Sequence, residues 1–313
     1  MVSMKKVIKL IAITMSIIFI VMSAGCQLNT GKNDVTDDSD NKENLTIVTS
    51  FYPIYILTIN ITKDIDGVQV INMTEPITGC LHDYYITTED MKQLEEADVF
   101  VINGAGMESF MDDVTRQMED LKVIEASKDI PLIEGDTDEG VNPHVWVSIS
   151  HAITEVKNVQ TQLSQIDPLH SKEYEENANE YIAKLEQLKA KMHEELKDIT
   201  NRDIVTFHEA FPYFAEEFDL NVVAVIEREP GSQPSAKELA TTIDQIKAMN
   251  INALFVEPQY SKQSADTIAK ETGATVYTLD PCVNGPMESD CLLYTSPSPR
   301  DRTRSRMPSS AWK

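Results

Sequence analysis

Imidazole is the commonest side-chain ligand for metals, and a ligand must be held in place before the metal arrives. The stretch Asn142-Pro-His-Val-Trp146 meets that requirement. Pro143 fixes its own φ and pushes Asn142 toward an extended conformation, so His144 leaves a stiffened turn. Three other residues share its setting. His82 lies in the loop Thr78-Gly-Cys-Leu-His-Asp-Tyr84, His208 follows the apolar run Asp203-Ile-Val-Thr-Phe207, and Asp280 ends the run Val276-Tyr-Thr-Leu279 before Pro281. Three imidazoles and one carboxylate suit Zn²⁺ in softness and number, and could also hold Mn²⁺ or Fe²⁺. No local spacing such as Cys-x-x-Cys supports the grouping, and packed or capping histidines remain an alternative on spacing alone. The remaining three of the six histidines, His151, His170 and His193, fall on expected helices among charged residues and read as surface.

The elements that would position these residues alternate in type. Strands are expected at 45–50, 68–73, 99–103 and 122–125. Helices are expected at 53–63, with Pro in the first turn, at 87–97, where Thr87 and Asp90 form a capping box, and at 107–118. After residue 200 the alternation resumes, with strands at 204–207, 222–226, 253–256 and 274–279. Helices there begin near Phe211, at Ser235 (with Glu238) and at Ser261. Such alternation argues for parallel sheets covered by helices on both faces. Between the two sets, no Gly or Pro occurs from Leu169 to Thr200, and Tyr174, Ala178, Tyr181, Leu185, Leu188, Met192 and Leu196 recur every three or four residues. That is one long amphipathic helix, opened by Asp167 as N-cap and Pro168, about 45–50 Å long at ~1.5 Å per residue. The expected fold class is therefore α/β, with two (β/α) lobes, each carrying a mainly parallel sheet, joined by one rigid helix. Ligands of open α/β sheets bind beyond the carboxyl ends of the strands. With two candidates in each lobe, a site built from all four lies in the cleft between lobes.

The ends of the chain differ in kind from its middle. Residues 1–26 carry Lys5, Lys6 and Lys9, then an apolar run too short to span a bilayer, then Ser-Ala-Gly-Cys26. This is a secretory signal, and its ending resembles the lipobox of bacterial lipoproteins, which places a lipid on Cys26. Residues 27–44 are polar and acidic and form a flexible tether. The N-terminal lobe then spans 45–166, the linking helix 167–200 and the C-terminal lobe 201–290. Residues 291–313 reverse the charge, are rich in Ser, Pro and Arg, and read as a non-native tail, so the last lobe is expected to be truncated. The net charge is −24 over 313 residues. Because the three early lysines and the basic tail lie outside the lobes, the lobes are more acidic still. Such a field repels nucleic acid and concentrates cations.

Several motifs occur together and in order: Thr49-Ser-Phe-Tyr-Pro53, Leu81-His-Asp-Tyr-Tyr85, Ala97-Asp-Val-Phe-Val-Ile-Asn-Gly-Ala-Gly-Met-Glu108, Asn142-Pro-His-Val-Trp146, Thr206-Phe-His-Glu-Ala-Phe211, Phe255-Val-Glu-Pro-Gln259 and Leu279-Asp-Pro281. Over 45–287 the chain resembles the metal-binding, substrate-binding lipoproteins of bacterial zinc/manganese ABC transporters. The resemblance implies metal carried between two lobes, His82, His144, His208 and Asp280 as ligands, and no enzymatic activity. It also implies an ABC transporter permease as partner, a monomer, and a lipoprotein anchored to the outer face of the cell membrane. Members selecting manganese tend to carry Glu where this chain has His208, so Zn²⁺ is favoured over Mn²⁺. Two departures stand out. Cys80-Leu81 replaces the family's Asp-Pro before the first ligand, and the His-rich loop is reduced to 134–140, which holds acid but no His.

Two other functions compete. A secreted zinc-dependent hydrolase would use His208-Glu209, but a zincin helix needs a second His at position 212, which is Pro. A surface adhesin stapled by metal would unfold on chelation. Glu209 and Glu257 are candidates for supporting or gating the ligands. Cys80 and Cys282 each lie two residues from a proposed ligand and would approach one another if the four ligands converge. A disulfide between them is one outcome, thiolate coordination another, and two unrelated thiols a third. For the lipobox, Cys26→Ser should abolish acyl labelling of the mature protein; unaltered lipid labelling would refute the assignment.

Overall fold

The computed structural model describes residues 44–74, 81, 84–135, 140–226, 235–258, 262–285 and 287. Its central strands are buried on both faces, which is why they read as nearly continuous apolar runs. Ile47 and Val48, adjacent on the first strand, point into different clusters on opposite sides of the sheet. Strands β1 (Leu45–Thr49), β2 (Val68–Asn72), β3 (Val99–Ile102) and β4 (Lys122–Glu125) form a parallel sheet in the order β2-β1-β3-β4. Strands β5 (Asp203–Thr206), β6 (Asn221–Val225), β7 (Ala253–Val256) and β8 (Thr275–Thr278) repeat the plan as β6-β5-β7-β8. In both sheets the order reverses beside the first strand, between β1 and β3 and between β5 and β7. These are the switch points at which open α/β sheets bind ligands.

Helices α1 (Tyr52–Ile61), α2 (Thr88–Glu95), α7 (Ala236–Ala248) and α8 (Lys262–Thr272) lie where the sequence predicts them, and α6 (Pro212–Glu217) is a short one. Both expected capping boxes form. Thr87 and Asp90 exchange bonds of 3.2 and 2.7 Å, and Ser235 and Glu238 exchange bonds of 3.3 and 2.8 Å. The helix expected at 107–118 does not form. A 3-10 turn at Ser109–Met111 and one helical turn, α3 (Asp112–Thr115), stand there instead. The cause is Glu108, whose carboxylate turns back to accept from the main-chain N–H groups of Asn103 and Gly104, at 2.8 and 3.0 Å. That ties the start of the segment into a loop.

One long helix links the lobes, as the sequence predicts, and a second helix packs along it. Helix α4 (Ile149–Ile166), whose N-cap is Ser148, packs along α5 (Ser171–Leu196), with a 3-10 turn at Pro168–His170 between them. Asp167 makes no side-chain cap. Its carboxylate instead accepts from the Tyr174 hydroxyl at 2.7 Å and pairs with His170 Nδ1 at 2.6 Å, which pins the bend. The long helix therefore starts at Ser171 and is about 39 Å at ~1.5 Å per residue. Tyr174, Ala178, Tyr181 and Leu185 form its buried face as their spacing predicts. One core cluster runs from Ile47 through Val159, Leu163 and Leu185 to Phe211, Phe214 and Phe218, so α6 packs with the N-terminal lobe. Both lobes belong to the single unit Glu43–Lys313.

Two buried acids lie beside this core. Burial pushes the Glu108 carboxyl up to about 7, with the bonds from Asn103 and Gly104 opposing the shift. Glu155, on α4, has no exposed surface, and burial followed by the charge of Glu108 raises its pKa well above the ordinary value. A carboxyl raised in the folded state costs nothing below its unfolded pKa and destabilises increasingly as pH rises toward the folded one. Glu155→Gln should therefore flatten the fall in melting temperature between pH 5 and pH 8; an unchanged slope would show that Glu155 is not the titrating group. Leu163→Ala, at a fully buried position on α4, should cost about 2–5 kcal/mol in denaturant melts.

Candidate metal centre

The N-lobe half of the site is built at the β1/β3 switch point. Gly104, Ala105 and Gly106 follow β3 with φ of +83°, +51° and +83°. At Gly104 a Cβ would collide with the Glu125 and Ser127 side chains, so this left-handed turn needs glycine on space as well as on φ. Asn103, fully buried, donates from Nδ2 to the Pro143 carbonyl at 3.0 Å and so fastens the loop carrying His144 to the end of β3. His144 is 2% exposed. Asn142 Oδ1 accepts from the His144 main-chain N–H at 3.0 Å and lies 3.0 Å from His144 Nδ1. Asn142 Nδ2 donates to the Glu209 carbonyl at 2.7 Å. A carbonyl only accepts, so the amide nitrogen must face Glu209 and the amide oxygen must face the histidine. His144 Nδ1 then carries hydrogen, and the ring lone pair is on Nε2.

The C-lobe half is built at the β5/β7 switch point. His208 follows β5 and is 1% exposed, and Thr206 Oγ1 donates to its carbonyl at 3.1 Å. His208 Nδ1 lies 3.0 Å from Glu257 Oε1, on the residue that follows β7. Burial pushes the Glu257 carboxyl up, the bond to His208 pulls it down, and the charge of Asp280 pushes it up again. The imidazoles of His144 and His208 meet edge to face, with centroids 4.8 Å apart and planes at 89°. Asp280 follows β8 and is half-buried, and its Oδ1 accepts from the Cys282 N–H at 2.9 Å. Cys282 has φ of +60°, and burial followed by the charge of Asp280 pushes its thiol up. Trp146, fully buried and edge-on to Phe51 at 5.0 Å, donates from Nε1 to the Pro281 carbonyl at 2.8 Å.

Of the four residues singled out in the sequence, the structure thus joins His144 and His208 directly and brings Asp280 into electrostatic contact with Glu257. His82, Cys80 and Cys26 lie outside the described residues, and among the described residues no three His, Cys, Asp or Glu side chains stand together as a metal-ligand group. Two imidazoles held through Nδ1 fit a metal taken through Nε2, the usual arrangement of histidine ligands and their supporting acceptors. Glu209 contributes its main-chain carbonyl to Asn142, while its side chain is half-buried. The surface reading of the helix histidines needs correction. His151 is half-buried, meets Tyr213 edge to face at 5.3 Å and has its pKa lowered by desolvation, and the His170 side chain is only 17% exposed because Asp167 draws it in. His193 is the exposed one, at 45%.

Two residues that matter escaped the sequence reading. Asn142 carries a weak signal, an amide just before Pro and His. Glu217 carries none, being one acid in an acidic stretch. Its carboxylate accepts from Ser148 Oγ at 2.7 Å, Ser150 N at 3.2 Å and Ser150 Oγ at 2.9 Å, and it pairs with His193 Nε2 at 3.0 Å. Burial pushes its pKa up, but these bonds outweigh burial and hold it below the usual carboxylate range. It thereby joins α6 to the N-terminus of α4 and to α5.

Comparison with known proteins agrees with this architecture. The family described as ZnuA, zinc-uptake complex component A, periplasmic, matches residues 47–293. The high-affinity zinc uptake system protein ZnuA of Bacillus subtilis is 33% identical over 268 residues, 80% of this chain and 82% of that protein. The zinc-binding lipoprotein AdcA of Streptococcus pneumoniae is 32% identical over 254 residues, covering 76% of this chain, which spans only 50% of AdcA. The solved structure of the laminin-binding protein of Streptococcus agalactiae, described as bifunctional with adhesin and metal transporting activity, matches with a TM-score of 0.69. That match is 29% identical and covers 77% of this chain and 91% of that one. With the motifs, the two switch points and the paired histidines in place, this chain belongs to the zinc-uptake complex component A family.

Proposed function

We propose that this chain holds one Zn²⁺ between its lobes through His82, His144, His208 and Asp280 and delivers it to the permease of an ABC transporter. The observation that carries this reading is the meeting of His144 and His208 at 4.8 Å, each ring held through Nδ1 by a buried acceptor. The protein is the extracytoplasmic metal-binding component of a zinc ABC transporter and not an enzyme. His208-Glu209 lies between β5 and α6, and Pro212 opens α6, so no zincin helix exists here. Three nitrogens and one oxygen close a tetrahedron, whereas a catalytic zinc keeps a position open for water. Against a structural staple, the apolar clusters of both lobes are formed without ligand residues, so the apo protein should stay folded after chelation. The finer parts of the proposal are a lipid on Cys26 that holds the protein at the outer face of the membrane, and a working monomer.

Competitive zinc titration tests the ligand set. His82→Ala, His144→Ala, His208→Ala and Asp280→Ala should each weaken zinc at least about tenfold, since even losing a residue that supports a ligand costs that much. His193→Ala should leave affinity unchanged, and a loss as large as that of His144→Ala would sink the assignment. Acidification should weaken binding, because only neutral imidazole coordinates. His208→Glu should move preference toward Mn²⁺, a harder ion better served by a carboxylate oxygen.

A further inference from the structure

We infer that Asn142 is a positioning residue that couples the two histidines across the lobes, so that zinc affinity and coordination geometry depend on it although it does not touch the metal. The inference rests on the ligand set proposed above. Asn142 is 3% exposed and every polar atom it carries is engaged. Its N–H donates to the Ile133 carbonyl at 2.8 Å, and its carbonyl accepts from the Tyr213 hydroxyl at 2.7 Å. Its side-chain oxygen serves His144 twice, and its side-chain nitrogen holds the carbonyl of Glu209, the residue after His208.

Part of this is ordinary turn chemistry. An Asn oxygen bonded to the N–H two residues on is a common way to start a turn before Pro. A turn, however, needs neither the contact with His144 Nδ1 nor a donor reaching 67 residues along the chain into the other lobe. Those two contacts join the orientation of one imidazole to the main chain beside the other. The same segment makes a second grip of this kind, where Trp146 Nε1 holds the carbonyl of Pro281, the residue after Asp280. One five-residue stretch therefore fixes the two C-lobe ligand loops relative to His144, each by a carbonyl one residue past the proposed ligand. Loss of the amide frees the His144 ring to rotate or change tautomer and lets the His208 loop drift, and small displacements of this kind weaken a metal site without removing a ligand.

The test compares Asn142→Ala, Asn142→Asp and His144→Ala in the full chain by zinc competition, by the visible absorption of the Co²⁺-loaded protein, and by apo melting temperature. Asn142→Ala should bind zinc at least about tenfold more weakly and shift the cobalt bands. Asn142→Asp keeps an oxygen facing His144 but loses the donor to Glu209, so it should recover part of that loss and remain several-fold weaker than the unaltered protein. Affinity within about twofold of the unaltered protein for both variants overturns the inference, as does a weakening that follows the apo melting temperature with unchanged cobalt bands. If Asn142→Ala does not fold, Asn142→Asp decides alone, with unaltered affinity as the refuting result. His144→Ala binding zinc like the unaltered protein would instead remove the ligand set, and the inference with it.

Discussion

Hydrogen bonds donated to main-chain carbonyls, one within the N-terminal lobe and two across the lobes, are what the geometry of this protein depends on. Asn103 holds Pro143, Asn142 holds Glu209, and Trp146 holds Pro281, each with a buried donor. A carbonyl is a stricter anchor than a side chain, because it cannot change rotamer and its position is set by the strand beside it. The loops at the carboxyl ends of β3, β5 and β8 are thereby fastened to one another. In an interior that excludes water, such donors are costly to leave unmade, so the fastening is cooperative. Glu217 adds an anchor at the periphery by accepting from two N-lobe serines and pairing with His193.

Charge is distributed with the same economy. The chain is strongly acidic, and among the described residues most of the acids are exposed. Inside, acids are sorted by what surrounds them. Glu217 has donors on several sides and stays ionised. Glu155 has none among the described residues and faces the charge of Glu108, so it favours the proton. Glu257 lies between these cases, desolvated but bonded to His208. Burial alone would push all three upward, and it is the count of donors that separates them.

The sequence disclosed the periodic parts of this architecture and concealed the tertiary ones. Strand positions, both capping boxes and the buried face of the long helix were legible because each rests on spacing within a few residues. The segment at 107–118 was misread because Glu108 looks like an ordinary helix former until its carboxylate is seen bonded to Asn103 and Gly104. On α4, Glu155 interrupts the apolar face with an acid that the core nonetheless buries. At the site, His144 could be chosen from the turn that Pro143 stiffens, and His208 from its position at a strand end. The amide joining them could not, because its partner Glu209 lies 67 residues away.

The inclusion of α6 in the N-lobe core limits how far the two halves can part. Phe211, Phe214 and Phe218 are each at most 5% exposed within a cluster that also holds Ile153, Leu163 and Tyr181. A wide jaw-like opening would return these rings to water, at roughly 1.5–3 kcal/mol for each side chain. Three such losses approach the whole stability of an ordinary domain, about 5–15 kcal/mol. The first helix of the C-terminal lobe is therefore, in mechanical terms, a piece of the opposite wall. Movement that costs less than unfolding is confined to what lies beyond it, the sheet β5–β8 and the loops at its carboxyl end.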